Sequence, residues 1–247
     1  MNRTDDENRE LQSPGERFGQ RFRKNLSAEN LQDSIISHET EAVSRTFAEL
    51  SETGSVQQAA ALLLGARRKF VGGEGKSAAY AQLLTADLTA TLSNIFYIDG
   101  RGHTSLSVLS DVRTSDVLVL FLLRRYRTET VRLGELFHSA GGKLVLITDS
   151  VDAPLTDIAD ATVTVYTGSA SYADSPTAVA AVCHLLSALT SASAKGARRR
   201  LAVRDQLAQD LGLYAKASRP EAAEVQQTRE TPPGSAVNKT SKLKDAP

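Results

Sequence analysis

The stretch FLLRRYRTETV, residues 121–131, puts Arg124, Arg125 and Arg127 within four positions of one another. Guanidiniums at that spacing can grip a phosphate or a carboxylate through forked, charge-assisted hydrogen bonds. Tyr126 stands among them, and Glu129 and Thr130 follow where the next helix should begin, in reach of sugar hydroxyls. A second stretch, VGGEGKSAAY at 71–80, offers matching donors. Gly73 and Gly75 let backbone amides approach a ligand, and Ser77 falls in the first turn of a helix whose amino end favours an anion. A third stretch, TDSVDAPL at 148–155, ends a strand on Thr148 and Asp149. Each has a plainer reading: glycine turn chemistry, a solvated helix start with Glu129 favouring the dipole, and an Asx turn capping the next helix.

Several chemistries are excluded by spacing. The GKS triplet is not a P-loop, because Gly72 and Gly73 stand too close to it for the required spacer. It is not a dinucleotide fingerprint either, since the position three beyond Gly75 is Ala78 and no acidic ribose reader follows. No His, Asp or Glu spacing suits a metal, so neither metal nor cofactor is expected. Ser77 lacks a G-x-S-x-G context, and Cys183 lies mid-helix in an apolar run. Moving a proton between sugar carbons would need a base, for which Glu129, His103 and His184 are the candidates. His184, in an apolar helix, reads as a core histidine, and His38 and His138 lie on helices without partners. No catalytic residue is assigned.

An alternation of strand and helix must position these stretches. KFVGG, IFYID, DVLVLFLL, KLVLITD and ATVTVYT read as strands. SAAYAQLLTADLTATL, TSLSVLSDV and TETVRLGELFHSA read as helices between them. The long apolar SPTAVAAVCHLLSALTSASA follows, with Pro176 in its first turn. The strands are continuous apolar runs, the mark of a parallel sheet covered on both faces. The prediction is an α/β fold: a three-layer αβα sandwich of doubly wound, flavodoxin-like type with a five-stranded parallel sheet, preceded by N-terminal helices. Ligands of such sheets bind beyond the carboxyl ends of the strands, where all three stretches fall.

Residues 1–27 hold few large apolar side chains (Leu11, Phe18, Phe22 and Leu26) and are expected to be mostly disordered. Residues 28–54 are a linker or dimerisation helix, with Leu31, Ile35, Ala42, Val43, Phe47 and Leu50 at helical spacing and Ser27 as N-cap. Residues 55–214 form the α/β domain, opening on VQQAAALLLGA and closing on the basic helix GARRRLAVRDQLAQDLGLY. Residues 215–247, rich in Pro, Ser and charge, are a disordered tail. With 41% apolar residues in 247 the chain can bury a core, and its zero formal net charge advertises neither nucleic acid nor membrane. One cysteine excludes a disulfide framework. No apolar run reaches the ~20 residues needed to span a bilayer, and no signal-peptide core is present. A cytoplasmic location is expected.

The order GGEGKS, SDVLVLFLLRRYRTETV and AGGKLVLITDSVDAPLTDIAD resembles the sugar isomerase (SIS) domain, over roughly residues 55–214. The likeness is greatest to the ligand-sensing half of MurR/RpiR-type transcriptional regulators. The family's glycine-x-glycine-x-serine loop matches Gly73, Gly75 and Ser77. Its arginine–tyrosine turn with Glu-Thr matches Arg124, Arg125, Tyr126, Glu129 and Thr130, and its third motif matches Pro154, Leu155, Ala159 and Asp160. The resemblance implies a phosphosugar or related anionic sugar ligand on the first two sets, and a homodimer with sites near the subunit interface.

Two departures bear on this. Hydroxyls that SIS domains place in the second loop fall here on Leu122, Arg124 and Arg127, so arginines must carry the anion. The regulators begin with a helix-turn-helix domain, which does not fit in the first 27 residues. ERFGQRFRKNLS resembles the tail end of one, so a truncated reading is expected, with DNA bound only if such a domain is supplied elsewhere. The expected function is phosphosugar binding without turnover, in a regulator or its sensor half. An aldose–ketose sugar-phosphate isomerase is the first alternative, and a degenerate dimeric scaffold, suggested by Leu122, the second.

Overall fold

The computed structural model describes Ser13, residues 15–18 and residues 28–214. Ser27, the other apolar anchors of the N-terminal stretch and the tail lie outside the described residues. In chain order the elements are α1 (Ala28–Thr53), α2 (Ser55–Gly65), β1 (Arg68–Gly73), α3 (Lys76–Thr91), β2 (Ile95–Tyr97), α4 (Ser105–Leu109), β3 (Asp116–Leu122), α5 (Thr128–Ser139), β4 (Lys143–Thr148), β5 (Ala161–Thr164), α6 (Thr177–Ser193) and α7 (Ala197–Asp210). All five strands pair in parallel in the order β2-β1-β3-β4-β5. The chain leaves β1 toward one edge and β3 toward the other, so the loops after these neighbours part and open a crevice at their carboxyl ends.

Side chains alternate across the sheet. Val117, Val119 and Phe121 join Val71, Val145, Ile147 and Val163 on one face, beneath α1, α2, α3 and α6. Leu118, Leu120 and Leu122 join Phe70, Leu144 and Leu146 on the other, beneath α4, α5 and Leu155. Both faces are covered, and every residue of β3 is buried. This is the physical origin of the unbroken apolar strand runs and of the three layers.

Helix α6 packs against α1, α2 and α3, which accounts for much of its apolar circumference. Ala178, Val179, Val182, Cys183 and Leu186 turn inward. His184 does not: it is exposed on the outer face, which corrects the expectation of a core histidine. A helix that is apolar nearly all round carries no stripe to mark which side faces water. Helix α1 buries only Ala42, Thr46 and Leu50, one residue per turn, and leaves Ile36 and Phe47 exposed.

The amino end of the sheet is closed by charge. Arg68 pairs with the buried Asp116 at 2.5 Å and with Asp111 at 2.8 Å. Asp160 accepts from Leu144 N at 2.8 Å and Lys143 Nζ at 2.9 Å, clipping β5 to β4. No helix connects β4 to β5; residues 150–158 run through turns. Residues 15–18, within the stretch expected to be mostly disordered, form a helical turn. Ser13 N donates to Glu16 Oε2 at 2.6 Å and Glu16 N to Ser13 Oγ at 3.2 Å, a reciprocal cap. From Ala208 onward the chain forms a separate unit. Its described part is the end of a helix, closed by Gly212 N to Gln209 O and Leu213 N to Ala208 O, both at 3.0 Å. Among the described residues no single helix is long and apolar enough to cross a membrane.

Candidate functional site

A cleft of about 660 Å³ lies over the carboxyl ends of β1 and β3. Three loops wall it: the β1–α3 loop, the β3–α5 loop, and the segment leading from β5 into α6.

The first wall depends on two glycines. Gly73 ends β1 against the first turn of α3, where a Cβ would stand 2.9 Å from Ser77 O and 3.0 Å from Ser77 Cβ. Gly75 caps α3 at φ 63°, ψ −126°, a backbone that L side chains rarely adopt. Ser77 N and Ala78 N turn back to Glu74 O and Gly75 O, so the first loop does not lend every amide to a ligand. Among the described residues no backbone hydrogen bond uses the N–H of Gly75 or Lys76. These donors and the Ser77 side chain sit at the amino end of a 16-residue helix, a setting that favours an anion.

In the second wall the arginines take different parts. Arg124, 17% exposed in its side chain, lies with Nε 3.6 Å from a carboxylate oxygen of Asp149, itself 5% exposed. Asp149 also accepts from Arg124 N at 3.2 Å and from Tyr126 Oη at 3.1 Å. The end of β4 thus holds the turn in shape. Burial pushes the Asp149 carboxyl above its ordinary range, with Arg124 opposing, and pushes the Tyr126 phenol up, with Asp149 adding to it. Arg125 and Arg127 are exposed. Arg127 leans over the first loop: a Cβ on Gly75 would stand 3.3 Å from its Nη1. Glu129 and Thr130 line the cleft from the first turn of α5, Glu129 exposed and Thr130 buried. Leu122 is buried, and its carbonyl accepts from Thr148 Oγ1 at 2.8 Å, so the Thr148 hydroxyl serves the sheet.

The third wall supplies Thr167, Asp174 and Ser175. Ser175 N donates to Thr167 O at 2.8 Å, closing the loop on itself, and Ser175 Oγ donates to Glu39 on α1. Lys76 Nζ donates to the Asp174 carbonyl. Burial pushes the Lys76 ammonium below its ordinary value, opposed by Asp174 and Glu39. Tyr80 beneath them is pushed up to about 12, by burial first and then by Asp174, Cys183 and Glu39.

The cleft therefore gathers Gly75, Ser77, Arg124, Arg125, Tyr126, Glu129 and Thr130, with Gly73 just beneath. Arg127, the third guanidinium of the turn, lines it too, and the cleft adds Lys76 and Asp174, with Asp149 behind the turn, none of which the motifs single out as ligand residues. Of the histidines weighed as bases, His103 lies against Phe96 in a tilted ring contact at 5.0 Å and His184 lies on the outside of α6; neither lines the cleft. Cys183 is buried and its thiol is pushed up to about 12 by burial. Among the described residues no group of three or more His, Cys, Asp or Glu is placed to hold a metal.

No curated protein matches the chain. Solved structures do. The sugar isomerase domain of the RpiR transcription factor from Sphaerobacter thermophilus is 24% identical, with a TM-score of 0.66 over 72% of this chain and 98% of that one. The Vibrio vulnificus NanR protein complexed with ManNAc-6P is 13% identical, with a TM-score of 0.63 over 76% and 72%. A phosphoheptose isomerase from Francisella tularensis is 16% identical, with a TM-score of 0.54 over 67% and 98%. At these identities the likeness is one of fold. The SIS domain family itself matches residues 62–192, more than half of the sequence and all of the sheet, and the chain belongs to that family.

Proposed function

We propose that the chain binds a phosphosugar or a closely related anionic sugar without turning it over, as the sensor half of a cytoplasmic transcriptional regulator of MurR/RpiR type. The observation that carries this is the meeting of Arg127 with the Gly75 loop. A guanidinium stands at a position where the family pattern has a hydroxyl, close to Gly75 at the start of α3. Such a pair suits a phosphate, while Glu129 and Thr130 stand where sugar hydroxyls would lie. NanR with ManNAc-6P and the phosphoheptose isomerase share the fold and support the ligand class. Pairing of two copies through α1, which leaves Ile36 and Phe47 exposed, fits the homodimer that the family implies.

Calorimetric titration with ManNAc-6P and a panel of pentose, hexose and heptose phosphates tests the reading, with NMR of each mixture to detect isomerisation. Binding without conversion is expected. Conversion would favour the isomerase alternative, with Glu129 as the candidate base among the cleft's carboxylates, and binding of none would favour the scaffold. Sedimentation at micromolar concentration should give a dimer; a monomer would remove that part.

A further inference from the structure

The helical turn at residues 15–18 lies at the rim of the cleft. Arg17 Nη1 is 2.6 Å from Asp174 Oδ1, with the arginine side chain 17% exposed. Its Nε is buried and has no hydrogen-bond acceptor among the described residues, so the guanidinium is not used up by Asp174. Phe18 meets Tyr172 edge to face at 5.8 Å. Tyr172 and Asp174 belong to the closed loop between β5 and α6, so both contacts fall on the third wall. Glu16 feels Arg125 of the second wall, though only as the weakest influence on its carboxyl.

Charge gives this contact a consequence. With Arg124 against Asp149, the cations left along the cleft are Lys76, Arg125 and Arg127, set against Glu74, Glu129 and Asp174. A cleft so balanced has little net attraction for an anion. Asp174 is the carboxylate that something outside the cleft answers, and that something is Arg17. We propose that Arg17, from the segment preceding the SIS domain, neutralises Asp174 and so prepares the cleft for an anionic ligand. Ligand occupancy and the seating of residues 15–18 are then coupled. The inference rests on the anion-binding reading above. Arg17 is a positioning residue, acting through Asp174. By linkage the effect is reciprocal: a segment that favours the ligand when seated is itself held seated by the ligand. In a sensor, the N-terminal segment is thereby the part of the chain that registers occupancy.

The experiment is a double-mutant cycle on the full chain, read by titration with inorganic phosphate, ManNAc-6P and the same panel of sugar phosphates. Arg17→Ala should weaken binding roughly ten-fold, the effect of one uncompensated carboxylate near the ligand. Asp174→Asn should bind at least as well as the parent, and the pair Arg17→Ala with Asp174→Asn should match Asp174→Asn alone. A purely structural role for Arg17 would give no such rescue. Proteolysis before Phe18 should slow when phosphate is added to the parent and not to Arg17→Ala. Unchanged binding by Arg17→Ala, or no rescue by Asp174→Asn, overturns the proposal. Failure of the parent to bind even phosphate overturns both it and the anion reading. Binding of phosphate but of no sugar phosphate removes only the phosphosugar reading, and the cycle is then scored with phosphate.

Discussion

Arg124 and Arg127 stand three residues apart in one turn, yet their environments call for opposite consequences on truncation. Breaking a buried ion pair by removing one partner costs about 3–5 kcal/mol, because the other charge is left buried. The Arg124–Asp149 pair is weaker than that limit: its closest approach is 3.6 Å and Arg124 is 17% exposed. Asp149 also keeps its bonds from Arg124 N and Tyr126 Oη when the guanidinium goes. Arg124→Ala should therefore destabilise by about 1–2 kcal/mol, or roughly 2–8 °C in Tm for a domain of this size. Arg127 is exposed and has no ion pair among the described residues, so Arg127→Ala should stay within about 0.5 kcal/mol of the parent in stability. Its loss from the Gly75 loop should instead remove a hydrogen bond to a charged group, about 1.5–3 kcal/mol, and weaken phosphate or phosphosugar binding roughly ten- to a hundred-fold. Urea unfolding and calorimetric titration of both variants read the two quantities separately. If Arg127→Ala binds like the parent while Arg124→Ala loses binding at full stability, the division of labour is inverted and Arg124 is the anion's ligand.

Two further outcomes follow from the same geometry. The Asp149 carboxyl is raised by burial, so the folded state holds its proton better than the unfolded state does; this contribution is present at acid pH and lost as pH rises through the folded pKa. Measured by urea unfolding from acid to neutral pH, the parent should lose stability relative to Asp149→Asn as pH rises, and a flat or opposite difference would sink the argument. Gly73→Ala should cost about 1–3 kcal/mol by overpacking and weaken anion binding, since the new Cβ meets the backbone of Ser77 and not a side chain that can swing away. An unchanged unfolding midpoint would show the β1–α3 loop to be slack.

The fold was legible because its signals are collective. The three central strands β1, β3 and β4 are buried on both faces, and a run such as DVLVLFLL can be little else when bracketed by helical periods. The order of the strands and the crevice between β1 and β3 then follow from parallel pairing with crossovers. Single positions were harder. His184 lies one residue from Cys183 on a helix that is apolar nearly throughout, and only the packing of α1, α2 and α3 decides which of the two faces out. Pro176 reads as a first-turn residue but stands one position before the helix, where Thr177 N reaches Ser175 Oγ instead.

In the site, what sequence conveyed was the list of donors, and what it withheld was their pairing. Gly73, Gly75, Ser77 and the arginine turn announce themselves by type and spacing, but Asp149 and Arg124 are 25 residues apart and meet only because β3 and β4 are neighbours in register. That meeting changes the electrostatics of the turn: three guanidiniums in sequence become one held in place and two presented. Arg127, which in sequence is one of three equivalent guanidiniums, is the one that reaches over Gly75. The N-terminal turn did carry a local signal, because SPGE places a serine and a glutamate at capping-box spacing. Sparse apolar content is the ground for expecting residues 1–27 to be mostly disordered, and of these the structure describes only Ser13 and residues 15–18. A single turn needs little buried area when a cap, an ion pair to Asp174 and one aromatic contact hold it, and those partners lie more than 150 residues away in sequence.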